Sequence, residues 1–197
     1  MMSKIFDETN GIWLVDETTK GYHLFDAKLA KSLSLLFSGG DTVVDFGCGL
    51  GDYVNYFIDK HILCFGFDGN PNTEKLTNGL CSQIDLSKDI NLKPYEDIEL
   101  NRLPDWVLSL EVGEHIPKEF EDVFIGNLHR NNTKGIVLSW GIEGQGGTGH
   151  VNERNNDYII EKIEKLGYKY NKPVSDLLRS EVDLWYFENT LMVFNKL

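Results

Sequence analysis

Positive charge is scarce in this sequence. Nineteen lysines and arginines stand against 31 aspartates and glutamates, a formal net charge of −12 over 197 residues. Such a surface repels long phosphate backbones, so nucleic acid is disfavoured as a partner and small neutral, cationic or protein-presented substrates fit better. Cysteine is sparse too. Cys48, Cys64 and Cys81 form an odd set without a CxxC spacing, each in or beside an apolar segment. That favours buried free thiols over a zinc site or a disulfide framework. No apolar run approaches the roughly 20 residues of a membrane span. The start, MMSKIFDETNGIWLVDETTKGYHLF, lacks a basic segment leading into an apolar one, so no secretory signal is read and a cytoplasmic setting is expected. Internal repeats, linkers and low-complexity tracts are missing, and one domain over residues 1–197 is the simplest organisation.

What is present is an alternation of short apolar runs with amphipathic segments. TVVDFG (42–47), ILCFGFD (62–68), QIDLS (83–87), WVLSLE (106–111) and GIVLSW (135–140) read as strands. FDAKLAKSLSLLF (25–37), LGDYVNYFIDK (50–60), KEFEDVFIGNLHRN (118–131) and NNDYIIEKIEKLGY (155–168) read as helices. Such alternation predicts a parallel sheet covered on both faces, and near-continuous apolar strands agree with that burial. The tail, DLWYFENTLMVFNK (183–196), reads as a late strand or hairpin arm, with its aromatic residues in the core or at the sheet edge.

VVDFGCGLGDY (43–53) is the most informative stretch. A strand runs through Asp45 into Gly47, Gly49 and Gly51, and a helix follows. Glycines there permit tight turns and close approach of a ligand, and the helix start offers unpaired N–H groups. Asp68 closes the next strand, about 20 residues on, where a carboxylate can accept from both hydroxyls of a ribose. A nucleotide cofactor follows from the pair. GCGLGD is not the GxGxxG of dinucleotide sites, and Asp45 ahead of the turn suits a sulfonium and an amino acid better than a pyrophosphate.

These residues resemble motif I of the class I S-adenosylmethionine-dependent methyltransferases. The resemblance covers roughly residues 40–197. It implies a Rossmann-like seven-stranded sheet of order 3-2-1-4-5-7-6, with the last inserted strand antiparallel and helices on both faces. It implies S-adenosylmethionine as cofactor, held by Asp45, Gly47, Gly49 and Asp68, with Asp85 and Leu86 bordering the adenine. It also makes residues 1–39 an N-terminal lid and first helix, in which Tyr22 and His23 either touch cofactor or substrate or cap the helix.

SLEVGEHIP (109–117) resembles the fourth motif of the family, in the EVxEH form of several O-methyltransferases. Glu111, Glu114 and His115 are readable as ligands of Mg²⁺, Mn²⁺, Fe²⁺ or Zn²⁺, which would lower the pKa of an acceptor hydroxyl. They are also readable as a polar wall or structural groups, or as groups that move a proton. Some small-RNA 2′-O-methyltransferases resemble the chain here and add a later histidine, for which His150 is the candidate, although the basic surface expected for RNA is absent. The loop GIEGQGGTGHVNERNND (141–157) is glycine-rich, which suits close ligand approach or lid movement. In it His150 is a candidate base and Asn152 or Asn155 a candidate helix cap. Trp140 either stacks on an acceptor or fills space beneath the loop. Glu99 and Glu121 are expected on a solvated face.

The sequence thus points to O-methylation of a sugar or another small hydroxylated substrate, with His150, Glu111 and His115 as catalytic candidates. Glu111, Glu114, His115 and His150 are candidate ligands for Mg²⁺ or another divalent ion. Nitrogen methylation of a small molecule or protein and a noncatalytic cofactor-binding role stay open, and the oligomeric state is not legible.

Overall fold

The computed structural model describes residues 5–19, 21, 23–37, 40–92 and 102–197. Strands β1 (Thr42–Phe46), β2 (Leu63–Asp68), β3 (Cys81–Gln83), β4 (Trp106–Ser109), β5 (Gly135–Leu138), β6 (Tyr168–Tyr170) and β7 (Met192–Lys196) form one sheet. Their order is β3-β2-β1-β4-β5-β7-β6. The five strands from β3 to β5 run parallel, whereas β7 is antiparallel to both β5 and β6. This is the topology that the family resemblance implied.

The strands are apolar at successive positions because both faces are covered. Along β1 the neighbours Val43 and Val44 point into different cores, as the two-residue period of a strand requires. One core takes Val43, Leu108 and Val137 of the sheet with Leu29, Leu33, Val54 and Phe57 from α1 (Ala27–Leu36) and α2 (Asp52–Asp59). The other takes Val44, Val107 and Ile136 with Phe124, Leu128, Ile159 and Ile163 from the helices that follow β4 and β5. These are α4 (Glu121–Arg130) and α5 (Asn156–Glu164), after a short α3 (Thr73–Leu76) between β2 and β3. Asp26 caps α1 by accepting from Leu29 N at 2.9 Å, and its other oxygen accepts from Asp183 N and Leu184 N. One buried carboxylate thereby pins the first helix to the C-terminal segment.

Two local readings of the sequence change. The third strand is Cys81–Gln83 rather than 83–87, because Asp85 Oδ1 takes the backbone N and hydroxyl of Ser87 and turns the chain. The segment 183–196 is not continuous strand. It holds α7 (Phe187–Thr190) before β7 begins at Met192. Between β6 and α7 lies α6 (Lys172–Ser180), capped by Asn171 with a proline in its first turn. Among the described residues no helix is long and apolar enough to cross a membrane.

Candidate active site

The site lies at the carboxyl ends of the parallel strands, where open α/β sheets form their crevice. After β1 the backbone takes left-handed φ at Gly47 (85°), Gly49 (56°) and Gly51 (76°). A side chain is excluded there twice over. A Cβ at Gly47 would lie 2.2 Å from Val112 Cγ2, and one at Gly49 would lie 2.6 Å from His23 Nδ1. Gly49 N donates to Asp68 Oδ2 at 2.9 Å and Asn70 N donates to Asp68 Oδ1 at 2.8 Å. Burial raises the Asp68 carboxyl, and these two bonds and the nearby His23 oppose the rise. Asp45, inside β1, is pushed up to about 8 by burial first and by the charge of Asp68 second.

These groups line a cavity of about 210 Å³. Asp45, Gly47, Gly49, Asp68 and Leu86 line it together with Glu111, Val112, His115 and Tyr186. Asp85 does not line it. Its carboxylate is taken by Ser87 and by Lys88 Nζ at 3.1 Å, so of the expected adenine-bordering pair only Leu86 reaches the cavity. The N-terminal segment contributes Ile12, Trp13 and His23. It is tied down by a Phe6–Trp13 bridge and by Val15, whose carbonyl accepts from Asn70 Nδ2 and Asn72 Nδ2 at 2.9 and 3.0 Å. Tyr22 and Glu99 lie outside the described residues.

EVGEHIP forms turns rather than a continuous helix, with His115 N bonded to Val112 O and Ile116 N to Gly113 O. It opens on Glu111 at φ 52°, an uncommon conformation for a residue with a side chain. Ser139 Oγ accepts from Glu111 N at 2.8 Å, while the Glu111 carboxylate accepts from Gln145 Nε2 at 3.0 Å and Thr190 Oγ1 at 3.2 Å. Gly113 is required by Trp140, whose ring would lie 2.2 Å from a Cβ there. Trp140 is fully buried, and its Nε1 donates to Asn152 O at 2.7 Å. It fills the space beneath the loop and does not line the cavity.

Glu114, His115 and His150 each place one potential donor atom within 4.8 Å of the others. Glu114 is 0% exposed, and neither of its carboxylate oxygens makes a well-formed hydrogen bond, although the Gly141 backbone and the Glu111 carboxyl lie beside them. Burial, then the Glu111 charge, drives its carboxyl well above the usual range. His115 is pushed down to about 4 by burial and by the neighbouring His150. Its Nδ1 lies 3.1 Å from Gly149 O, which can only accept, so the proton sits on Nδ1 and Nε2 keeps a free lone pair. A buried carboxyl beside two imidazoles is a donor set that fits a divalent cation. Glu111, expected in the same set, is not in it. Gln145 and Thr190 hold its carboxylate, and it stands on the cavity wall instead. His150 packs edge-on to His115, ring centroids 5.0 Å apart, and does not line the cavity.

One group, Glu153, went unread in the sequence, and another, Glu121, was misplaced. Glu153 accepts from Gly144 N, Gly146 N and His150 Nδ1. Glu121 is 3% exposed, not on a solvated face. It accepts from Asn152, Arg154, Tyr158 and Lys162, which hold its carboxyl down to about 2 against the opposing effect of burial. Its spacing to Phe124, Ile125 and Leu128 on one helix face was the available signal. Asn155, not Asn152, is the residue at the start of α5, and its side chain donates to Glu143 instead of capping.

Sheet order, glycine turn and strand-end carboxylate together define the class: the chain has the class I S-adenosylmethionine-dependent methyltransferase fold. The magnesium protoporphyrin IX methyltransferase of Synechocystis PCC 6803, solved with bound SAH, superposes with a TM-score of 0.62 at 15% identity, over 93% of this chain and 89% of that one. A TehB-like SAM-dependent methyltransferase of Corynebacterium glutamicum gives 0.57 at 15% identity, over 86% of each chain. In sequence, 169 residues are 27% identical to the "Probable tocopherol O-methyltransferase, chloroplastic" of Oryza sativa subsp. japonica. That match takes in 69% of this chain but only 45% of the rice protein, so the chain spans less than half of that relative. No protein-family model matches.

Proposed function

We infer that the chain is an S-adenosylmethionine-dependent methyltransferase that methylates an oxygen of a sugar or another small hydroxylated acceptor, with a divalent ion held by Glu114, His115 and His150. The observation that carries this reading is a shared cavity: His115, a member of the donor set with Glu114 and His150, lines the same cavity as Asp45, Gly49 and Asp68. The cofactor supplies a methyl group on a sulfonium, open to in-line attack by a nucleophile. The ion would lower the pKa of the acceptor hydroxyl.

The chain's own residues do the positioning. Each Asp68 oxygen accepts one backbone N–H and keeps a lone pair for a ribose hydroxyl. A cationic group beside Asp45 would favour its ionised form and be held by it. Val112, Ile116, Tyr186 and Phe187 give the cavity apolar surface that excludes water around the transferring group. Glu111, fixed by Gln145 and Thr190, is the wall carboxylate left to orient the acceptor hydroxyl. His150, away from the wall, serves this reading as an ion ligand rather than as the base.

A second reading has its own support. Asp45, Asp52, Asp68 and Glu111 line the cavity and no lysine or arginine does among the described residues, which also suits an amine acceptor. The two part in a screen of labelled methyl transfer to sugars, phenols, amines and nucleosides, with and without a chelator. Transfer to hydroxyl compounds that stops on chelation supports the oxygen reading. Chelator-insensitive transfer to amines alone contradicts it.

A further inference from the structure

The loop that follows β5 is shaped around one imidazole. A Cβ at Gly147 would lie 2.3 Å from His150 Nε2, and one at Gly141 would lie 3.1 Å from His150 Cε1. These two glycines clear space for the ring. The loop is also fastened to the EVGEHIP turn. Val151 N and Asn152 N both donate to Glu114 O at 2.9 Å, and Arg154 N donates to Gly141 O at 3.0 Å. So many ties describe a fixed cradle, not a free lid.

At the centre of the cradle is Glu153. Its Oε2 accepts from Gly144 N at 2.8 Å, and its Oε1 accepts from Gly146 N at 2.7 Å and from His150 Nδ1 at 3.0 Å. Gly144 and Gly146 reach it by adopting φ of 85° and 68°. Side-chain exposure is 19% for Glu153 and 11% for His150.

We propose that Glu153 is the positioning residue for His150: it fixes the imidazole as the Nδ1–H tautomer, leaves the lone pair of Nε2 free, and shapes the glycine loop around the ring. A carboxylate that takes three N–H donors is acceptor only, so the histidine must donate through Nδ1. His115 is set the same way by Gly149 O, so both imidazoles are held in one tautomer by acceptors that do not line the cavity. Outer groups of this kind orient metal-binding histidines and raise their basicity. The proposal rests on the metal reading above for its purpose, but not for its geometry.

The test uses the full chain, as wild type, Glu153→Ala, Glu153→Gln and His150→Ala, with two readouts. Long-range ¹H–¹⁵N spectra of the histidine rings, recorded without metal at one fixed pH and assigned by the missing His150 signals in His150→Ala, report the tautomer. The Nδ1–H form is expected in wild type, a mixed form in Glu153→Ala, and an intermediate pattern in Glu153→Gln, whose amide oxygen still accepts. Calorimetric titration with Mn²⁺ or Zn²⁺ reports affinity, which should fall about 10- to 100-fold in Glu153→Ala and recover in part in Glu153→Gln. A merely structural residue would alter thermal stability and leave the tautomer alone. Unchanged ring spectra in both Glu153 variants overturn the proposal. Wild type that binds neither ion overturns the metal reading, while the ring spectra still decide the role of Glu153.

Discussion

Gly49 and Asp68 meet through a hydrogen bond of 2.9 Å, backbone N–H to carboxylate, across 19 residues of sequence. The bond joins the turn after β1 to the end of β2. It fixes the carboxylate at the spot where only a left-handed glycine lets a ligand approach. Loop shape and cofactor contact are therefore set by the same two residues.

That closeness makes Gly49→Ala a defined perturbation. The substitution adds a strained φ and a contact of 2.6 Å to His23 Nδ1. It should destabilise the protein by about 2 kcal/mol in thermal or urea unfolding. Combining it with His23→Ala should recover the steric part and leave the backbone part, so the pair should be strongly non-additive. Strict additivity would show that His23 does not stand over the turn.

Glu114 sets a trade between stability and binding. A buried carboxylate without well-formed hydrogen bonds is costly, so Glu114→Gln should leave the metal-free melting temperature unchanged or higher. The same variant should lose the stabilisation that an ion gives wild type, about 2.7 kcal/mol at roughly 100 times the dissociation constant. Loss of metal-free stability, with ion-induced stabilisation intact, would mean that Glu114 is structural.

Glu121 predicts an acid-sensitive contact between α4 and the segment 152–162. Its carboxyl sits at about 2 in the folded chain against an ordinary 4.5. A depressed value means that the stabilisation is complete above the unfolded pKa and is lost as pH falls from 4.5 toward 2. The amount is about 3 kcal/mol, by the conversion of pKa shift to free energy. Glu121→Gln should therefore be destabilised at pH 7 and lose less than wild type on acidification over that range. Parallel pH profiles for the two proteins would contradict the assignment.

Much of this was readable in the chain. Near-continuous apolar runs at Val43–Phe46 and Trp106–Leu108 carried the parallel sheet, because burial on both faces leaves no alternation to misread. Gly47, Gly49 and Asp68 carried the cofactor end, because sharp turns and strand-end carboxylates are local in sequence. What stayed hidden depended on contacts between distant segments. Glu111 looked equivalent to Glu114 by spacing, yet its carboxylate is bonded by Gln145 and Thr190 and stands on the cavity wall. Asp85 turned inward to its own Ser87, a choice that spacing does not reveal. Glu153 was lost among other charges because its meaning comes from the loop folding back on it. The short α7 was obscured by aromatic residues that suit a strand equally well.

The most direct test of the account is a calorimetric titration of S-adenosylmethionine into wild type and Asp68→Ala, with NAD as control. The account predicts saturable one-to-one binding of S-adenosylmethionine to wild type, no binding of NAD, and affinity reduced about tenfold or more in Asp68→Ala through loss of charge-assisted hydrogen bonds. Binding unchanged by the substitution, or no binding to wild type, would contradict it.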